Sequence, residues 1–184
     1  VAEAFADKEQ MAARSLGAIT ADTHPYLDAA LDAASRLIRD HCGWHIATVE
    51  ELQVRLDGPG GDLLVLPTLR LVDLVSIVER GTTVDIATLD VSGLGLIRGR
   101  RWTDRFGGIV ATFTHGYDEV PATVADLTLQ IASRALGSPL GIVREQTLSA
   151  SVTWSTTAAG VAGGIVLLPH EQEQLATYRI GWTP

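Results

Sequence analysis

Cysteine is nearly absent from this chain. Cys42 is the only one in 184 residues, so no internal disulfide can form and a disulfide-stapled scaffold is excluded. Lysine is just as scarce: Lys8 stands alone beside 13 arginines. Positive charge is short overall, with 14 Lys and Arg against 22 Asp and Glu and a net charge of −8. A protein that grips nucleic acid needs the opposite balance, because phosphate binding relies on a surplus of cations. No apolar run approaches the roughly 18 residues a membrane-spanning helix requires. The stretch "VAEAFADKEQ" is acidic and has no basic region followed by an apolar one, so it is expected not to be a signal peptide.

Catalytic signatures are also missing. There is no G-x-S-x-G elbow to expose a nucleophilic serine; Ser92 in "VSGLG" has the wrong spacing. "GLGLIRG" places its third glycine one position late for a dinucleotide-binding loop, and no helical pattern follows it.

What remains is a globular composition, 46% hydrophobic and 20% charged. Asp7 and Gln10 have the spacing of a capping box, and Gly17 suits a helix stop, which predicts a helix over about 6–15. Leu27, Ala30, Leu31, Ala34, Ile38 and His41 recur at helical spacing and predict a second over about 26–41, with Pro25 in its first turn and Gly43 at its stop. Asp32 and Arg36 stand four apart, acid first. From Ile46 the texture changes to short β-like runs separated by Gly, Pro and polar clusters, among them "IATVEELQVRL", "DLLVLP", "VDLVSIVE", "TVDIATL", "LGLI" and "GIVATFTHGY". "VSIVERGTTVDI" reads as a hairpin turning at Arg80 and Gly81. Helical spacing returns over about 121–137, where Val124, Leu127, Ile131 and Ala135 form an apolar face behind Pro121.

Segregated helices and strands predict an α+β chain, mainly a helical bundle with a small antiparallel β portion over about 46–115. Residues 137–184 carry only five charges, Arg144, Glu145, Glu171, Glu173 and Arg179. That is too few for a solvated tail. This segment is expected to be an arm against a partner or a neighbouring subunit, with a strand-like "TLSASVTWS" and a short helix over about 169–179. Residues 1–136 are then the core domain.

Three clusters invite a chemical reading. "HCGWH" could offer His41, Cys42 and His45 to a metal, but no second pair with ligand spacing supports it. A buried cysteine at a helix end, with His41 facing the helix C-terminus and Trp44 packed beneath, explains the same residues. "RGRRWTDR" gathers Arg98, Arg100, Arg101 and Arg105 around Trp102. It could touch DNA, pair with carboxylates on a partner, or be a solvated loop whose tryptophan folds back on the sheet. "FTHGYDEVP" crowds His115, Tyr117, Asp118 and Glu119 together. Each residue there also has a structural role: Gly116 to turn, the acids to face a helix start, and Pro121 to fix it. An acid–base pair would further need a nucleophile or metal nearby. No catalytic residue, cofactor or metal is therefore expected. His115, Gly116, Tyr117, Asp118 and Pro121 read as a strand-to-helix corner.

Three segments, in order, carry a resemblance: "YLDAALDAASRLIRDHCGWHI", "LLVLPTLRLVDLVSIVERGTTV" and "GGIVATFTHGYDEVPATVADLTLQIASRAL". Together they span about residues 24–136, and the chain resembles the head-to-tail adaptor (head–tail connector) proteins of long-tailed double-stranded DNA bacteriophages and prophages. The resemblance implies a non-enzymatic virion protein at the head–tail junction, assembled in the host cytoplasm. It implies a homo-oligomeric ring, typically dodecameric, docked under the portal protein, with a tail-side neck or stopper protein assembling onto it. DNA would be passing cargo, and no membrane would be involved. Candidate interface residues are Arg98, Arg100, Arg101, Trp102, Arg105, Trp154, Tyr178 and Trp182. The arginines could face the acidic N-terminal part of a neighbouring copy, since residues 1–57 hold 10 acids and 5 bases. Other readings are another ring-forming neck or tail-completion protein, a small enzyme using His115 with Asp118 or Glu119, and a DNA-binding module using Arg98–Arg105.

Overall fold

A computed structural model describes residues 3–137, 144–147, 150–153 and 164–181. The chain divides into two compact units. One comprises residues 1–42 and 121–177, the other residues 43–120 and 178–184.

The first unit is helical. Helix α1, Lys8–Arg14, opens on the capping box its sequence predicts: the Gln10 amide donates to Asp7 Oδ1 at 2.7 Å and the Asp7 amide to Gln10 Oε1 at 3.1 Å. Helix α2, Leu27–Cys42, buries Leu27, Ala30, Leu31, Ala34 and Ile38 along one stripe. Helix α3, Ala122–Gly137, answers with Val124, Leu127 and Ile131, and the two helices pack together. Phe5 is buried as well; its amide donates to Ser35 Oγ at 2.9 Å, and the Arg39 guanidinium lies 3.9 Å from its ring centre. Residues Arg144–Thr147 (β8) and Ala150–Thr153 (β9) pair as an antiparallel ribbon. Helix α4, Pro169–Leu175, is tied to α3 by a buried ion pair, Arg134 Nη1 to Glu171 Oε1 at 2.8 Å. Glu171 Oε2 also accepts from the Leu168 amide at 2.8 Å, so both carboxylate oxygens are satisfied.

The second unit is built of strands. Its four-stranded antiparallel sheet has the order β1 (Glu50–Leu56), β7 (Ile109–His115), β3 (Leu71–Glu79), β4 (Thr82–Thr83). A three-stranded sheet has the order β2 (Leu64–Val65), β6 (Leu96–Arg98), β5 (Asp90–Val91). The β3–β4 turn sits at Arg80 and Gly81, with φ of 52° and 85°, the paired left-handed geometry of a tight hairpin. Leu64, Leu66, Ile77, Ile97, Trp102, Ile109, Ala111 and Phe113 form one continuous core.

This arrangement corrects the expected fold. The chain is not mainly a helical bundle with a small β portion: among the described residues four α-helices stand beside two multi-stranded antiparallel sheets, and the sheets enclose a core of their own. The expectation fell short because β2, β4 and β5 are two residues each. Such strands are too short to show alternation and are held by their neighbours instead. In "TVDIATL" only the first residue, Thr83, belongs to β4; a 3-10 turn, Ile86–Thr88, follows, capped by Asp85 Oδ1 accepting from the Ala87 amide.

Candidate functional site

The four-stranded sheet has two chemically different ends. At one, β1 finishes at Leu56, β3 at Glu79 and β7 begins at Ile109. The loops there are laced by backbone hydrogen bonds: Gly58 to the Arg105 carbonyl and Gly60 to the Thr103 carbonyl, both 2.9 Å, and Arg80 to the Gly108 carbonyl at 2.8 Å. They carry the arginine cluster.

The cluster splits into residues with structural partners and residues without. Trp102 is 2% exposed and belongs to the core. Arg100 lies 5.4 Å from its ring centre and pairs with Glu79 at 2.5 Å. Glu79 also accepts from the Thr103 amide at 2.6 Å, so this carboxylate organises the loop. Arg98, Arg101 and Arg105 are exposed, and so is Arg80. None of the four makes an ion pair among the described residues. Phe106 beside them is 91% exposed. Arg80 and Arg101 line a groove of about 390 Å³ with Trp102, whose buried indole N–H has no acceptor among the described residues.

At the opposite end lies the corner. β7 stops at His115 and α3 starts at Ala122. Gly116 has φ of 114°, and a Cβ there would stand 2.9 Å from the Thr48 carbonyl oxygen, so only glycine fits. The Gly116 amide donates to the Arg70 carbonyl at 2.9 Å and the Tyr117 amide to that of Ile46 at 2.8 Å. His115 is buried among rings, 5.0 Å from Phe113 and 6.2 Å from Trp44 between centroids, with His45 at 5.7 Å. Glu50 Oε1 lies 3.2 Å from His45 Nδ1 and 3.9 Å from His115 Nε2. Neither His115 nitrogen has a hydrogen-bond partner among the described residues. Burial and the neighbouring His45 lower its pKa from 6.5 to about 4, so it is neutral at physiological pH. Tyr117 stacks edge-on with Tyr178 at 6.1 Å and lies under Arg70 at 5.8 Å. Asp118 and Glu119 are exposed. The geometry joins His115 to His45 and Glu50, which the sequence reading had not connected, rather than to Asp118 or Glu119.

Of the remaining sequence-predicted residues, Tyr178 accepts the Trp44 indole N–H on its carbonyl at 2.6 Å. Trp154 and Trp182 lie outside the described residues. Cys42 is fully buried at the end of α2. Among the described residues no three His, Cys, Asp or Glu converge to hold a metal. Two residues that stand out in three dimensions, Arg80 and Phe106, were missed as site residues: Arg80 was read only as part of a turn. The aromatic in "DRFGG", set between an arginine and two glycines, was the available signal for a loop tip.

The sequence matches no known protein-family profile and no curated protein. Among solved structures, one similar chain belongs to the neck of a native GTA (gene transfer agent) particle, computed with C12 symmetry. The identity is 15%, the TM-score 0.56, and the alignment covers 94% of this chain and 92% of that one. At that identity the likeness establishes a shared fold over almost the whole length of both chains.

Proposed function

We propose that this protein is a non-enzymatic structural component of the neck of a phage or phage-like particle: a head-to-tail adaptor that forms a ring under the portal and receives a tail-side stopper protein. The observation that carries this reading is the shared fold with a C12 particle neck over nearly the full chain. It agrees with the resemblance of residues 24–136 to head–tail connectors, which rests on different information. The charge of −8 suits a channel wall that lets DNA slide past rather than adhere. A ring of identical copies needs a heterologous contact, one patch of each copy meeting a different patch of the next.

Residues 137–184 are proposed to include the arm that reaches portal or a neighbour. Deleting all of 139–184 would strip Glu171 from Arg134 and confuse assembly with folding. Replacing only 139–163 with a short Gly-Ser linker keeps α4 in place. The expected result is a folded protein that no longer binds portal; undiminished portal binding overturns the arm.

The neck reading is tested by native mass measurement and electron microscopy of the protein with and without portal from the same particle. Rings docked on portal are expected. Failure to bind portal in any oligomeric form overturns it.

A further inference from the structure

Three large apolar side chains are far more exposed than any others among the described residues: Leu16 at 95%, Phe106 at 91% and Tyr26 at 78%. They fall on two surfaces of opposite charge. Phe106 projects from the arginine-bearing end of the β sheet, beside Arg101 and Arg105. Leu16, Asp22 and Tyr26 lie in the α1–α2 connector and Asp28 in the first turn of α2; both carboxylates are exposed and without an ion pair among the described residues.

Both surfaces are held in shape. The arginine loop is fixed by the backbone hydrogen bonds around Gly58 and Gly60 and by Glu79. The connector is fixed by Thr20 and Thr23, whose hydroxyls and amides bond one another, and by the His24 amide donating to the Thr20 carbonyl at 2.8 Å. Leu16 has φ of 52°, a left-handed conformation that a leucine rarely adopts, and it spends that strain presenting its side chain to solvent. An exposed apolar group on a rigid loop, ringed by unpaired charge, is the anatomy of an interface.

We infer that these two surfaces bind each other between copies. The Phe106 loop of one copy seats against the Leu16–Tyr26 connector of the next, and Asp22 and Asp28 pair with Arg101 and Arg105. The inference rests on the ring reading and specifies its repeating contact. A heterologous interface needs two different patches on one chain, and opposite charge with apolar tips makes these two complementary. DNA is the weaker occupant, because the chain carries a net charge of −8.

Two experiments test this on the full chain. In the first, Phe106→Cys and Tyr26→Cys proteins are prepared separately, mixed and treated with a short bismaleimide; Cys42 is fully buried and does not compete. Cross-linked dimer is expected in the mixture in large excess over either protein alone. Equal yield in the single-variant batches, or none in the mixture, overturns the contact. In the second, Arg101→Glu with Arg105→Glu, or Asp22→Arg with Asp28→Arg, is expected to abolish ring assembly on portal while leaving the far-UV circular dichroism unchanged. All four changes in one chain are expected to restore it. Rings that form normally with either pair alone overturn the inference and leave the neck reading intact. A wild-type protein that never binds portal ends the neck reading, and the mixed cross-link then decides the contact by itself. Salt-sensitive binding of duplex DNA that disappears in Arg101→Glu, Arg105→Glu while assembly persists assigns the patch to DNA and overturns the inference.

Discussion

The helical unit and the β unit treat their buried polar groups differently. In the helical unit polar groups are answered by side chains: Arg134 and Glu171 form a buried pair, Ser35 accepts from the Phe5 amide, and Arg14 meets Asp126 at the surface. In the β unit the core is aliphatic and aromatic, and its unanswered polar atoms sit at the two ends of the sheet, on Trp102 and His115. A buried donor without a partner costs roughly 1–3 kcal/mol. Among the described residues the helical unit has one such atom, the Arg134 Nε, against three on Trp102 and His115 in the β unit. The β unit carries it on two side chains buried at opposite ends of its sheet.

The comparison can be broken or sharpened by substitution. The largest effect is expected in the β core. Phe113 is fully buried, and Phe113→Ala should cost about 4 kcal/mol in urea denaturation. A loss under 1 kcal/mol would show that this core does not hold the unit. Arg134→Ala probes the helical unit; it strands the Glu171 carboxylate and should cost about 3–4 kcal/mol by the same measurement. The paired substitution Arg134→Met, Glu171→Leu should recover most of that, because the penalty comes from the orphaned charge. No recovery would mean that packing, not charge, makes the clamp.

His115 gives the β unit a pH dependence. Its neutral form is favoured in the folded state, with a pKa of about 4 against 6.5 ordinarily. The unfolded chain therefore binds more protons between those values, so stability is complete above about pH 6.5 and falls as pH drops toward 4. Glu50, His45, Arg70 and Asp118 are the other ionisable groups at this end. The loss attributable to His115 is about 3 kcal/mol, and His115→Gln should flatten the stability profile over that window. An unchanged profile removes His115 as its source. Gly116→Ala is next, at about 2 kcal/mol, from the Thr48 carbonyl contact and the positive φ. Smallest is Asp32→Ala on the exposed face of α2. Its carboxylate stands 3.9 Å from Arg36, and about 0.4 kcal/mol is expected, fading with salt.

Much of the helical unit was legible because its signals are local. The Asp7–Gln10 box, the α2 stripe and Pro121 ahead of α3 each lie within a few residues. The Arg80–Gly81 turn was legible for the same reason. The second sheet was not, because a two-residue strand has no period to detect. Composition could gather the arginines around Trp102 but could not sort them. Glu79, 21 residues before Arg100, withdraws one arginine from the surface, and burial withdraws the tryptophan. His115 was visible in its own segment, yet its real neighbours Trp44, His45 and Glu50 arrive from some 70 residues earlier through the β1–β7 register. Long-range pairing of that kind leaves no trace in local pattern.

The division of the chain has a consequence for its birth on the ribosome. The helical unit takes residues 1–42 and resumes only at Pro121, while nearly all of the β unit lies between. At about 5–20 residues per second, α2 emerges several seconds before any of α3 exists. For that interval the Leu27–Ile38 stripe has no partner helix, while the strands after it can already close their own core. Synthesis from the N-terminus thus sets an order opposite to the sequence order: the later-starting unit is the first able to close its core, and the first helices made are the last to find their place.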